Sequence, residues 1–495
     1  MSDYEDITGA MKDLNIGELT RYQPLINGCN TTQSHGGGEE LRLAPLIWWD
    51  VKTHLDQSEN PNDQLKQYAV LGHESSATSN SVYKPVLLNT NAPWSSFLCG
   101  SQGSGKSHTL SCMLENCILS TPNIGKNPHP LAGLVLHYDG SRGSGVCEAA
   151  YLCSQVKTRV LVSASNYGNL KSKYEDMAKK CGGTIEVQKL LIATDHLDTE
   201  RVKTLMAVSK DGEMPLYIQT LVKIIRDIAI QSGGVGTFDY GRLKEELRDQ
   251  MFSERQNQPL ALRIDLLESF LDVKRSSRKP GYPAPAWSKS PDYLKGAPGE
   301  LLIVDLTDPV VDVDMACVLF DTCLSIFLAQ TKCGKVVALD EAHNYLLAEN
   351  ASAKQFTGKL LKTIREQRHL GTRIIIATQE PTLDTSLLDL CSITMVHRCT
   401  SPAWFEILKK HVAALYLSSG EGADGVTKSD QKSTDRTLFA QIVALRIGES
   451  LLFCPTGAMR MEGENVGRML DGFITFRTRQ RLTADGGATK LAYDT

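Results

Sequence analysis

The chain lacks a basic excess. Its 53 Lys and Arg are set against 57 Asp and Glu, for a formal net charge of −4. A protein that coats nucleic acid through a broad basic surface is therefore not expected, although Lys and Arg gathered on a pore loop would pass unnoticed in such a count. Long hydrophobic runs are also missing. No uninterrupted apolar stretch approaches the ~18–20 residues of a membrane-spanning helix, so no membrane partner is expected. The first residues, MSDYEDITGAMKDL, are acidic and have no apolar core, so they do not read as a signal peptide. There is no CxxC pair among the 13 cysteines. Many of these lie inside apolar stretches (Cys99, Cys112, Cys117, Cys317, Cys323, Cys391 and Cys454), which points to buried free thiols. A reducing setting follows, intracellular and soluble, with nucleus and cytosol not distinguished. Cys147 and Cys153 flank a short predicted helix. A metal there would need two further ligands, and the local spacing offers none.

What is present is an ordinary globular composition, 41% hydrophobic and 22% charged, over 495 residues. That suffices for one large elaborated domain or two or three smaller ones. Residues 1–40 are polar and Gly-rich and read as a flexible leader. Residues 41–95 read as an ordered segment packing on the core, with Trp48 and Trp49 as core residues. Short apolar runs follow at 95–99, 131–138, 159–164, 300–306, 335–340, 373–378, 393–398 and 450–454. Those before residue 400 are apolar nearly throughout, as strands are when helices cover both faces of a parallel sheet. Helical patterns separate them, so βαβ units are expected. The core thus splits into 96–164 and 299–480, around a helical insertion at 165–298 that closes in a Pro- and Lys-rich loop, KRSSRKPGYPAPAWSKSP. Residues 481–495 read as a tail.

Three strand ends carry the chemistry. The first is Gly100-Ser101-Gln102-Gly103-Ser104-Gly105-Lys106-Ser107, which fits GxxxxGK[ST] between an apolar strand and a helix beginning near His108. Glycines let the backbone curl so that N–H groups point at phosphate oxygens, and the helix adds its positive end. Lys106 is placed for the β- and γ-phosphates and the Ser107 hydroxyl for Mg²⁺. The second is Val336-Val337-Ala338-Leu339-Asp340-Glu341. Asp340 suits the same Mg²⁺, and the adjacent Glu341 suits activation of a water, which favours ATP hydrolysis over phosphoryl transfer. The third is Ile374-Ile375-Ile376-Ala377-Thr378-Gln379. If its strand lies beside that of Asp340, Gln379 reaches the γ-phosphate or the attacking water; otherwise it caps a turn before Glu380-Pro381. Just upstream, Arg365 and Arg368 end a helix, either as solvated residues or as an arginine finger for a neighbouring subunit.

Together these motifs resemble the HerA/FtsK superfamily of ring-forming ATPases, on its HerA-like side. GSQGSGKS, VVALDEAH with His343, Arg365-Glu366-Gln367-Arg368-His369-Leu370-Gly371 and RIIIATQEP carry the resemblance. LLIVDL (301–306) and IVALRIGESLLFCPTGA (442–458) agree with it. It covers about 80–165 and 300–460. It implies a RecA-like α/β P-loop NTPase sheet, ATP and Mg²⁺ as cofactors, a homo-oligomer (a hexamer in the family) and DNA as partner. The chain departs from the family in several places. Tyr138-Asp139-Gly140-Ser141-Arg142 retains only an acid of the usual Gly-Glu-Tyr segment, Glu380 replaces an Arg, and no N-terminal β-barrel is recognisable. These departures keep open a nucleotide-dependent switch acting on a protein partner, or a degenerate structural relative. A DEAH-type helicase is a minor alternative. LDEAH fits it, but no second motor half follows residue 400, and 234 residues separate Lys106 from Asp340.

Overall fold

The computed structural model describes residues 41–486, apart from 58–64, 76–82, 141–145, 194–195, 198, 206–215, 232, 234–238, 251, 253, 273–293, 331, 381–382, 413–414, 416–427 and 463–464. The expected leader and the Pro- and Lys-rich loop lie outside the described residues, as do 487–495.

The strands, in chain order, are β1 (Leu46–Trp48), β2 (Tyr68–Glu74), β3 (Pro85–Leu88), β4 (Ser95–Cys99), β5 (Gly125–Lys126), β6 (Ala132–His137), β7 (Lys157–Val162) and β8 (Ile185–Lys189). They continue as β9 (Glu300–Asp305), β10 (Lys335–Asp340), β11 (Thr372–Thr378), β12 (Ile393–His397), β13 (Glu449–Phe453), β14 (Ala458–Glu462), β15 (Asn465–Arg468) and β16 (Ile474–Thr478). All belong to one sheet, ordered β15-β14-β1-β3-β2-β16-β13-β12-β4-β11-β10-β6-β9-β7-β8, with β5 beside β2. From β12 to β8 every pairing is parallel. The pairings from β12 through β13, β16, β2 and β3 to β1 are antiparallel. The fold is therefore a mixed α/β sheet with a parallel heart.

Apolar residues on both faces of the parallel strands account for two separate cores. On one face Leu134, Leu136, Val337, Leu339, Ile374 and Ile376 pack with the helices Val313–Gln330 and Ala351–Arg365 and with the helices between 199 and 269. On the other, Val135, Val336, Ala338, Ile375 and Ala377 pack with the helices Lys106–Ile118 and Tyr167–Lys180. Covering both faces is what makes these strands read as unbroken apolar runs.

The strands expected from sequence are present with ends shifted by at most two residues. The 165–298 segment is mainly helical, but it also contributes β8, which pairs in parallel with β7. Its sequence, IEVQK, mixes apolar and polar residues, with Val187 buried and Glu186 and Lys189 exposed at the margin of the sheet, so it lacks the unbroken apolar run of a strand covered on both faces. Residues 481–486 do not trail away as the start of a tail. Arg481 pairs with Glu148 at 2.7 Å, and the backbone N–H groups of Leu482 and Thr483 donate to the buried Glu115 carboxylate. A buried carboxylate needs such partners, and this one draws the segment onto the core. No helix among the described residues is long and apolar enough to cross a membrane.

Within the antiparallel half, which joins the parallel half where β13 meets β12, β16 pairs with β2 and Gly72 faces Thr478. A Cβ at Gly72 would lie 2.1 Å from the Arg477 carbonyl oxygen and 2.5 Å from the Phe476 ring. Backbone has to move to admit it. Gly72→Ala is expected to destabilise the chain by about 2 kcal/mol or more, read as a lower Tm. Gly168→Ala, where nothing lies within 4 Å, is expected to leave Tm unchanged or slightly raised.

Candidate nucleotide site

The parallel strands end together on one edge, and the loops that leave them form a cleft of roughly 1070 Å³. Gln102, Gly103, Gly105, Lys106, Ser107 and His108 line one wall, and Glu341 and Gln379 line another. The loop 100–105 owes its shape to three glycines with φ of 151°, 71° and 104° at Gly100, Gly103 and Gly105. It is pinned at both ends. Ser101 N–H donates to the Arg398 carbonyl (2.9 Å), and Gly448 N–H donates to the Ser104 carbonyl (3.2 Å). A Cβ at Gly105 would lie 2.7 Å from Gly448 N, while one at Gly103 would meet nothing within 4 Å. Gly105 is thus fixed by packing, and Gly103 leaves the mouth of the loop open.

The helix Lys106–Ile118 starts directly from this loop, with no acidic residue in its first turn and no side-chain cap. Its first N–H groups have no carbonyl of their own helix to meet, and its positive end is not offset by a protein carboxylate there. Lys106 is 5% exposed, and its ammonium donates to the Ser101 carbonyl across the loop at 3.0 Å. Burial lowers its pKa, while the Glu341, Cys99 and Asp340 side chains pull it back up. The residues fit a nucleotide triphosphate: an open cradle of backbone, a helix end without a counter-charge, and a buried cation facing two acids. Ser107 and Asp340 would hold Mg²⁺ there, one from the helix start and one from the end of β10.

β10 pairs in parallel with β11 on one side and with β6 on the other. The first pairing brings Gln379 to Glu341. Gln379 Nε2 donates to Glu341 Oε2 at 3.1 Å, and His343 Nδ1 lies 3.5 Å from the same oxygen. Glu341 itself is left-handed, with φ 47° and ψ 46°, a conformation that costs a non-Gly residue roughly 1–2 kcal/mol. The turn after β10 keeps the carboxylate in the cleft in spite of that cost. Burial lowers the His343 pKa, against the pull of Glu341 and Glu380, so its ring is neutral near pH 7.

The pairing with β6 places His137 directly beside Asp340. Burial opposes charge on His137, but the neighbouring Asp340 and Asp305 carboxylates prevail and push its pKa up to about 9. His137 has no local sequence signal. Nor do His73, Arg477, Arg479 and Gln480, which form the far wall of the cleft from β2 and the end of β16. His108 Nε2 donates to the Arg479 carbonyl at 2.8 Å, tying the loop helix to that wall. Arg365 and Arg368 are not brought to this cleft. Both are exposed and precede β11, so they lie at the strand edge opposite the cleft. Cys147 and Cys153 do not form a pair either. Cys153 Sγ faces Cys181 Sγ at 3.7 Å, and Cys147 faces Asp340.

The described fold is a mixed α/β sheet with a parallel heart, and the glycine-rich loop joins one of its parallel strands to a helix, as the loop motif leads one to expect. No protein-family model matches the chain, and no curated protein matches its sequence. Among solved structures it is similar to VirB4 of Thermoanaerobacter pseudethanolicus, at 12% identity and a TM-score of 0.43, over 83% of this chain and 96% of that one. It is also similar to the bacterial conjugative coupling protein TrwBΔN70, at 12% identity and a TM-score of 0.37, over 86% and 95%. A third similarity is to the genome packaging NTPase B204 of Sulfolobus turreted icosahedral virus 2, solved with ATP-γ-S, at 14% identity and a TM-score of 0.22, over 35% and 68%.

Two expectations follow from this geometry. Gly105→Ala must push the loop off Gly448 from an already left-handed position, and is expected to abolish nucleotide binding in equilibrium dialysis. His397 sits behind the loop, fully buried, with Nδ1 donating to the Glu449 carbonyl at 3.1 Å. Burial, with the Lys106 charge adding to it, lowers its pKa from 6.5 to about 3. Below pH 6.5 the unfolded chain takes up a proton that the folded chain refuses, so stability falls as pH drops from 6.5 toward 3 and is unaffected by this group above 6.5. Between pH 7 and 5 the loss is about 2 kcal/mol. The Tm of His397→Gln is expected to fall less over that interval than the wild-type Tm.

Proposed function

We propose that the chain is an ATP-hydrolysing motor of the HerA/FtsK kind that works on DNA as an oligomer. The observation that carries the hydrolytic part is the Gln379–Glu341 hydrogen bond at the ends of adjacent strands, opposite Lys106. A site that only bound nucleotide has no need of a carboxylate held at this point by a neighbouring strand. Lys106 and the loop N–H groups hold the phosphates. Ser107 and Asp340 hold Mg²⁺, which when bound neutralises charge building on the β- and γ-phosphates. Glu341 takes a proton from the attacking water, and Gln379 fixes the Glu341 carboxylate and reports on the γ-phosphate. Arg368, with Arg365 second, serves a neighbouring subunit's site, because both are exposed and turned away from their own cleft.

The motif resemblance supports action on DNA. The net charge of −4 and the unrecognised β-barrel favour a second reading, a nucleotide-dependent switch acting on a protein partner. The test is ATP turnover by the purified chain with and without single- and double-stranded DNA. Lys106→Ala is expected to lose nucleotide binding. Glu341→Gln is expected to bind ATP normally but turn over about 10²–10³-fold more slowly. Turnover that rises several-fold with DNA supports the motor; residue-dependent turnover blind to DNA moves the reading to the switch. Turnover indifferent to Glu341 overturns both. For the finger, Arg368→Ala is expected to turn over slowly alone and to recover part of the rate when mixed with Glu341→Gln, since mixed rings contain some complete interfaces.

A further inference from the structure

Beneath the cleft lies a cluster that the hydrolytic mechanism does not use in full. In-register pairing of β6 and β10 stands His137 and Asp340 side by side on one face of the sheet. The short helix Glu148–Ser154 begins just after Cys147 and carries that residue over them. Cys147 Sγ is 3.7 Å from Asp340 Oδ2, and His137 Nδ1 is 3.4 Å from the same oxygen. All three donor atoms lie within 4.8 Å of one another. Around a tetrahedral zinc ion with bonds of ~2.0–2.3 Å, neighbouring ligand atoms stand roughly 3.3–3.7 Å apart. The separations of Cys147 and His137 from Asp340 already have that spacing.

The residues are buried, at 7%, 0% and 3% exposure for His137, Cys147 and Asp340. His137 Nδ1 has no hydrogen-bond partner among the described residues, although it points at the shared carboxylate oxygen. At 3.4 Å it makes an ion pair with that oxygen, without hydrogen-bond geometry, and the spacing suits two ligand atoms on one ion. Cys147 is also held in place by a second layer. Its N–H donates to the Tyr174 hydroxyl (3.1 Å), which donates to Asp305 (2.5 Å). Metal ligands are commonly oriented in this way by groups behind them. The donor set selects the ion. Thiolate and imidazole suit zinc and its neighbours, whereas Mg²⁺ takes oxygen ligands.

We propose that His137, Cys147 and Asp340 form a binding site for a thiophilic divalent cation of the zinc class, with water as the fourth ligand. Binding displaces two protons to solvent, the thiol proton that Cys147 otherwise directs at Asp340 and the imidazolium proton that Asp340 and Asp305 favour on His137. Asp340 then belongs to two sites, so occupancy of this one slows ATP turnover. That consequence, unlike the site itself, rests on the reading of Asp340 as the Mg²⁺ carboxylate of an ATPase.

The test is a Co²⁺ titration of the full chain without nucleotide or Mg²⁺, followed by absorption. One equivalent is expected to give a near-ultraviolet thiolate-to-cobalt band and the visible bands of a four-coordinate ion. Cys147→Ser is expected to lose the thiolate band, and His137→Gln to keep it with affinity weakened about tenfold or more. Cys181→Ser, which disrupts the other close thiol pair, is expected to retain both band and affinity. Circular dichroism establishes that each variant is folded, and His137→Gln serves if Cys147→Ser is not. A spectrum without a thiolate band, or a band that survives Cys147→Ser, overturns the proposal. Zn²⁺ is expected to inhibit wild-type turnover, with relief by a chelator, and to inhibit Cys147→Ser at least about tenfold less readily. If the band follows Cys147 but the chain has no Glu341-dependent turnover, the metal site stands and the ATPase reading falls. Turnover without the band means the reverse.

Discussion

Strand register is the constraint on which the rest of this structure depends. Asp305 on β9, His137 on β6 and Asp340 on β10 are partners across consecutive parallel strands, so they share a row and a face. One residue beyond that row, the chain turns Glu341 into the cleft, where Gln379 arrives from β11. A slip of one residue on any of these strands would send its functional side chain to the opposite face. Both faces are apolar, so alternation alone does not set the register. Side-chain size does. Under the helix Lys106–Ile118 the strands present Ser96, Gly133, Ala338 and Ala377, which let that helix lie close to the sheet. At Gly133 even one carbon would meet the Ile118 side chain at 2.6 Å. A slip by two residues, which keeps the face, would replace small side chains with Val or Ile and lift the helix that carries Lys106.

The same close approach concentrates buried charge, and the chain offsets it locally. Lys106 lies near Asp340 and Glu341, and His137 lies between Asp340 and Asp305. His397 is neutral because it is fully buried, and the Lys106 charge in the loop above it adds to that effect. On the far side of the loop helix, burial of Glu115 alone would raise its pKa, yet the Thr483 hydroxyl and Arg479 bring it below the ordinary value. Arg479 also donates to Asn116 and to the Val70 carbonyl. One arginine therefore ties the loop helix to β2 and to its own strand β16. Removing it would leave a buried carboxylate with a weakened set of partners, the more costly side of any ion-pair deletion. The wall of the cleft and the stability of its base thus share one group.

How much was legible in the sequence follows from how local each signal is. The glycines, Lys106 and Ser107 are contiguous, and Asp340 with Glu341 closes a run of apolar residues, so chain order alone displays them. The parallel strands announce themselves because two-sided burial makes them apolar throughout. β8 escapes notice because it lies at the margin of the sheet and mixes apolar with polar residues. The clustering of His137 and Cys147 with Asp340 is invisible for a different reason. Ten residues separate the first two and almost two hundred lie between Cys147 and Asp340, and only the strand order brings them within contact. Residues 481–486 look like a polar tail because their partners, Glu115 and Glu148, lie far back in the chain. In each missed case the information resides in topology, which periodicity does not carry.

β11 links two parts of the proposed mechanism that the cleft alone would separate. Gln379 follows its C-terminal end, and the segment from Arg365 to Gly371 precedes its N-terminal end. Its seven residues span about 23 Å at ~3.3 Å each. Every one is buried, paired with β10 on one side and β4 on the other. Such a strand has little room to bend, because each residue is fixed by ladder bonds and by close packing on both faces. Under the proposed mechanism, a displacement of Gln379 on loss of the γ-phosphate would be carried as a shift of the strand and not absorbed along it. The far end that would move with it bears Arg365 and Arg368. If those arginines complete a neighbour's site, the state of one nucleotide sets the geometry of the next, and a ring gains sequential hydrolysis from a single buried strand.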